Sequence, residues 1–333
     1  TYSHFSNVAY LASQADADFS PFLLWRQAIP FLCMTTLLCI ATFVDFDERM
    51  IPDEVTVFGT LLALVLSAFL PESRLLDTEA LLNGELIHLH AYSPKVWFEW
   101  GNESRALLYS MGLLGFWGIA SMPKLCTLRF GLQRGLQLML ASVIRPRRHS
   151  LSSGEKRKRK PFTVTTLIAV SCMLGWVFLY AIWVWGDATQ WESLFSSILG
   201  MTGGLVLVWG VRIIGSVAAQ QEAMGFGDVT LMAMIGAFLG WQAVIITFFI
   251  APFAGIVIGI IQAIVRKENE LAFGPYLSLG AIIIVLFWET VWGRIYGVLN
   301  EQIDSVPFVL MLLLSAMGGM LFVWRIIKEK ILA

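Results

Sequence analysis

Nine apolar runs, parted by short polar stretches, decide what this chain can fold into. They fall at about 27–44, 54–70, 106–123, 162–185, 194–214, 229–241, 243–265, 275–292 and 306–324. Most are long enough, or nearly so, to cross a hydrocarbon core ~30 Å thick. No water there can satisfy backbone N–H and C=O groups, so only helices or closed barrels cross it. Continuous apolar runs of this length, without strand-like alternation, are expected as helices. The expected fold class is therefore all-α: a polytopic membrane helical bundle of about nine spans. Composition agrees, with 57% hydrophobic and 14% charged residues and a mean hydropathy of +0.72, beyond what a soluble domain needs for its core. The 229–241 run is short, roughly 20 Å at 1.5 Å per residue. It is expected either as a short helix held inside the bundle or as a re-entrant segment covered by protein.

Charge orients the spans. The stretch 124–160 carries eleven of the 23 Lys and Arg with Glu155 as its one acid, whereas 72–105 carries six acids and three bases. Placing the basic loop in the cytoplasm puts Arg266, Lys267, Arg325, Lys328 and Lys330 on that side, and Asp187, Glu192, Glu301 and Asp304 outside. The N-terminus then lies outside. The chain starts at Thr1 rather than Met, which leaves room for an upstream segment, and residues 1–20 do not read as a signal peptide. The first part of the basic loop, Leu125–Leu140, reads as an interfacial helix. The second, through Arg145-Pro146-Arg147-Arg148 and Lys156–Lys160, reads as a solvated polybasic stretch whose partner is anionic lipid. No aromatic interleaving or folded module accompanies these charges, so nucleic acid is not an expected partner.

Two acid-bearing stretches interrupt the apolar pattern: Val44-Asp45-Phe46-Asp47-Glu48-Arg49-Met50-Ile51-Pro52-Asp53 and Met224-Gly225-Phe226-Gly227-Asp228. Carboxylates at the edge of hydrocarbon are costly and mark functional sites by default. Asp45 ends an apolar run, where a helix C-terminus disfavours an anion; it is either a boundary acid facing water or a site residue. Asp47 and Glu48 read as a solvated turn, and Asp53 as the N-cap of the next helix after Pro52. Asp228 opens the 229–241 run and is either a cap or a site residue. Gly225 and Gly227 beside it let backbone approach closely, which suits an extended substrate lying against a carboxylate. With four spans between them, both aspartates return to the cytoplasmic face.

Other polar features carry less. Cys33, Cys39, Cys126 and Cys172 stand singly and form no CxxC pair, so no zinc module or disulfide framework is indicated. His88 and His90 lack further ligands and read as surface residues. Asn102-Glu103-Ser104 matches a glycosylation sequon and is uninformative without the host. Gly200/Gly204, Gly236/Gly240 and Gly255/Gly259 are small-xxx-small pairs expected at tight helix contacts.

The combination of Asp45 and Ile51-Pro52-Asp53 with Gly225-x-Gly227-Asp228-x-x-Leu231-x-Ala233-x-Ile235-Gly236-Ala237-Phe238-Leu239-Gly240-Trp241 closely resembles the prepilin leader peptidase family of GxGD aspartic membrane proteases. Phe273-Gly274-Pro275-Tyr276-Leu277 matches a third element of that family. The resemblance implies that Asp45 and Asp228 are the catalytic pair, with Pro52, Asp53, Gly225 and Gly227 as supporting motif residues. It implies cleavage of the short basic leader of type IV prepilins or pseudopilins just after a glycine, at the cytoplasmic face of a bacterial inner membrane, with no metal or other cofactor.

Three departures accompany it. Many bacterial members carry paired CxxC motifs associated with methylating the new N-terminus, which these residues do not supply. The residue two after the GxGD aspartate is commonly Lys and is Thr230 here. The family usually places two spans between its aspartates, and four are counted here. An inserted hairpin accounts for the extra two and leaves the aspartates on one face. The expected organisation is 1–26 as a non-cytoplasmic N-terminal segment and 27–70 as the first aspartate's helix pair. Residues 71–193 follow as an inserted region, and 194–333 as the GxGD-containing bundle. Two other classes remain in view: a proton-coupled transporter with paired acids, and a Mg²⁺-dependent lipid-phosphate transferase using Asp45 and Asp47.

Overall fold

The computed structural model describes residues 21–48, 50–71, 104–121, 161–219, 225–266 and 273–299. These form eight helices: α1 (Pro21–Glu48), α2 (Asp53–Phe69), α3 (Ser104–Ala120), α4 (Pro161–Trp185), α5 (Ala188–Ala219), α6 (Phe226–Leu239), α7 (Trp241–Arg266) and α8 (Gly274–Leu299). Among the described residues there is no strand, and the all-α expectation holds. Each of the first eight apolar runs falls on one helix. The ninth run, the basic loop, the acidic loop with His88 and His90, and residues 1–20 lie outside the described residues. By length and composition, three stretches are able to cross a membrane: Ala28–Glu48, Ile168–Trp185 and Ala188–Ile214. Three shorter apolar helices accompany them: Phe226–Leu239, Trp241–Phe253 and Gly274–Trp288.

The chain divides into two compact units, one of residues 1–102 with 187–333, the other Glu103–Gly186. In the smaller unit α3 packs on α4. Trp176 Nε1 donates to the Met111 carbonyl at 2.9 Å, and Cys172 Sγ lies 3.9 Å from the Leu114 carbonyl.

In the larger unit α6 is the centre, packed against α1, α2, α5, α7 and α8. Every residue from Asp228 to Leu239 is buried. A helix that is apolar all round belongs in a core, and that is why a run too short to span is stable here. Of the two expectations for 229–241, the short interior helix is the one adopted. It ends at Gly240, whose φ of 91° and ψ of 171° fall in a region open essentially to glycine alone. This turn lets α7 start at the next residue.

The α5–α6 contact is made by backbone. A Cβ on Gly200 would run into the Gly236 carbonyl and lie 2.7 Å from Gly240 Cα; one on Gly236 would meet the Gly200 carbonyl, and one on Gly204 the Met232 carbonyl. Two small-residue pairs of the sequence thus pack on each other, and Ser197 Oγ donates to the Ala237 carbonyl across the same seam. Without side chains between them the helices gain close dispersion contact, the main source of adhesion where lipid is as apolar as protein.

Candidate active site

The two acid motifs meet at one end of the larger unit. On α1 the row Met34, Leu38, Ala41 is buried, at 1%, 0% and 1% exposure. Asp45 continues it at helical spacing, so the face that builds the core also carries the carboxylate inward, to 6% exposure. Phe46, Asp47 and Glu48 turn outward and are exposed. The Asp45 side chain is thus turned toward the core rather than outward.

Asp228 reaches the same place from α6, at 7% exposure. The N-cap of α6 is Gly225, with φ −64° and ψ 153° and no side-chain cap, so Asp228 is the third helical residue. Its carboxylate accepts the backbone N–H of Gly225, the return half of a capping box. The helix-start role and the inward placement are thus compatible, and the positive end of the α6 dipole favours an anion there. Thr230, where the family commonly has Lys, donates its Oγ1 to the Gly227 carbonyl at 3.0 Å.

Three further residues hold the aspartates together. The Gly274 backbone N–H, at the start of α8, faces the Asp45 carboxylate. A Cβ on Gly274 would lie 2.6 Å from Asp45 Oδ2 and 2.8 Å from Ile51 Cδ1. Ile51, buried at 8% exposure, also presses on Gly227: a Cβ there would lie 2.9 Å from the Ile51 Cβ and 3.3 Å from its backbone nitrogen. One isoleucine is therefore wedged between the glycine beside Asp228 and the glycine facing Asp45. The two carboxylates are close enough to interact electrostatically, and the charge of Arg212 on α5 also acts on Asp228. Asp45 Oδ2 is buried with no hydrogen-bond partner among the described residues. A buried carboxylate oxygen left unpaired is costly.

Pro52 and Asp53 stand beside the site rather than in it. Pro52, with φ −70° and ψ 127°, occupies the N-cap position of α2 and makes no side-chain cap; its carbonyl accepts the Val55 N–H at 3.1 Å. The expectation that Asp53 caps α2 is corrected: Asp53 is the first helical residue and is exposed. Proline's fixed φ and extended ψ satisfy the cap geometry one residue earlier, which leaves Asp53 to complement the helix dipole. Ile51 stands in the Ile51-Pro52-Asp53 element of the sequence, but its role as a wedge was not legible there. Its signal was an apolar residue inside an otherwise polar turn.

The type IV leader peptidase family model matches residues 163–260, a segment that contains Gly225, Gly227 and Asp228 but not Asp45. Curated relatives match over similar lengths. A prepilin leader peptidase/N-methyltransferase of Pectobacterium carotovorum subsp. carotovorum is 37% identical over 93 residues, covering 27% of this chain and 33% of the relative. The Aeromonas hydrophila protein of that name is 30% identical over 102 residues, covering 30% and 35%. The Pseudomonas putida protein is 30% identical over 106 residues, covering 31% and 37%. The chain thus spans about a third of the length of the curated relatives it matches. No solved structure matches it. Across residues 163–260 the chain is similar in sequence to the type IV leader peptidase family, the family its acid motifs resemble.

Proposed function

We propose that this protein is an aspartic endopeptidase that removes the basic leader of type IV prepilins or pseudopilins at the cytoplasmic face of a bacterial inner membrane, with Asp45 and Asp228 as its catalytic pair. The observation that carries the reading is the convergence of the two aspartates, from helices far apart in sequence, behind one isoleucine wedge. Asp45 lies outside the segment matched by the family, so its meeting with Asp228 is support independent of that match.

The chemistry follows from the pairing. Two facing carboxylates away from bulk water cannot both ionise cheaply, so they share a proton. The ionised member draws a proton from a water, which attacks the scissile carbonyl carbon. The protonated member donates to the carbonyl oxygen as the tetrahedral centre forms. Collapse breaks the C–N bond: the proton taken from water goes to the leaving amine, and the hydroxyl formed on the carbonyl oxygen returns its proton to the second aspartate, which restores the pair. Gly225, exposed close to Asp228, leaves backbone uncovered there, which suits an extended peptide segment. The transferase reading needs Asp45 and Asp47 on one ion, but Asp45 is buried where Asp47 is exposed.

The helical pair α3–α4 is read as an insertion between the two helix sets that bear the aspartates. Because it adds two spans, it leaves both aspartates on one side. The basic loop between those helices is assigned to anionic lipid, since a loop of the leader's own sign repels the substrate. Co-expression of the full chain with a prepilin, with leader removal read by mass, tests the activity. An unprocessed prepilin at normal enzyme levels would overturn it for that substrate class.

A further inference from the structure

The turn that presents Asp228 consists of Gly225, Phe226 and Gly227, and its two glycines have no side chain by which a neighbouring helix can hold it. Phe226 is the residue of this turn with a large side chain. The Arg212 guanidinium carbon on α5 lies 5.7 Å from the centroid of the Phe226 ring, inside the range of cation–π attraction. Arg212 is half-buried and sits near the end of the apolar stretch Ala188–Ile214. An arginine at such a boundary can snorkel to water; this one instead lies on the aromatic ring, where its charge also acts on Asp228. Thr230 is committed to the Gly227 carbonyl and brings no charge.

We propose that Arg212 is a positioning residue: its guanidinium clasps Phe226, fixes the Gly225–Gly227 turn against α5, and thereby sets the place of the Asp228 carboxylate. The attraction is between the positive charge and the ring face, so what the contact needs at this position is a cation. The clasp acts on the same site as the peptidase reading and rests on it for its catalytic consequence.

The test uses the full chain, purified in detergent, with a prepilin as substrate. It compares R212K, R212Q, F226L and the R212Q/F226L double variant. R212Q and F226L are each expected to lower kcat by about tenfold to a hundredfold, as small misplacements of a reacting group do, with KM within about twofold of wild type. R212K, which keeps a cation, is expected to recover most of the loss. The double variant should be no slower than the slower single, because both remove one clasp. Wild-type kcat in R212Q, a change in KM alone, or losses that multiply in the double variant would overturn the proposal. The midpoint of thermal unfolding across the same four proteins needs no turnover. If wild type cleaves nothing, the peptidase reading fails. The clasp is then decided by whether the R212Q and F226L shifts are non-additive, as it requires, or additive, which refutes it.

Discussion

Ile51 and Gly227 are in contact so close that no side chain fits between them: a Cβ on Gly227 would fall 2.9 Å from the Cβ of Ile51. Gly227 adjoins Asp228 and Ile51 lies six residues past Asp45, so this contact joins the two acid motifs. Gly227→Ala should therefore separate the aspartates, lowering leader cleavage by about a hundredfold, as ~1 Å misplacements do. Its cost in stability should be about 1–3 kcal/mol, typical of overpacking. Ile51→Gly on that background removes the opposing Cβ and should restore part of both. The checks are the cleavage rate and thermal unfolding in detergent.

Gly274→Ala tests the other flank of the wedge. Its new methyl would meet both Asp45 Oδ2, at 2.6 Å, and Ile51 Cδ1, at 2.8 Å. Activity should fall to background while α8 still forms, since alanine is a better helix former than glycine. Ile51→Val removes Cδ1 and relieves only one of the two collisions. The double variant should consequently stay inactive, and recovery in a cleavage assay would show that Asp45 is not displaced.

The α5–α6 seam separates structural glycines from permissive ones. Gly200→Ala pushes a methyl into the Gly236 carbonyl, whereas a Cβ on Gly210 of the same helix meets nothing within 4 Å. Thermal unfolding should show Gly200→Ala destabilised by about 1–3 kcal/mol or more. Gly210→Ala should be neutral or more stable, by up to about 1 kcal/mol, through helix propensity.

Sequence alone located the helices and both acid motifs, because apolar periodicity and the cost of a buried carboxylate are local signals. The direction of Asp45 was less visible. Helix-end electrostatics argued against an anion there, and only the buried row Met34–Leu38–Ala41 shows why tertiary packing prevails. The glycine pairs were legible as contact surfaces, but not that Gly200 packs on Gly236, since a stripe does not name its partner. Arg212 carries no motif at all, being a cation on a neighbouring helix, and Ile51 was legible only as part of the Ile51-Pro52-Asp53 element, not as a wedge. Their roles arise when α1, α5, α6 and α8 come together. The kink in α8 at Phe287, with φ −116° and ψ 17°, likewise has no Pro or Gly at that position to announce it.

Cysteine labelling in membranes should place residues near 50, 220 and 268 on the cytoplasmic side, and those near 189 outside. The shared site requires positions 50 and 220 to label from one side. Labelling from opposite sides would separate Asp45 from Asp228 and remove the active site.

The account rests on Asp45 and Asp228 acting as one pair, and the mass of a co-expressed prepilin measures this most directly. Wild type should yield the leader-less chain. Asp45→Asn and Asp228→Asn, each at wild-type membrane levels, should leave the prepilin intact, since losing one partner of an acid–base pair costs about 10²–10⁴ in rate. Asp53→Asn should retain substantial processing, because Asp53 is exposed at the start of α2. Complete leader removal by either the Asp45 or the Asp228 variant would contradict the paired assignment.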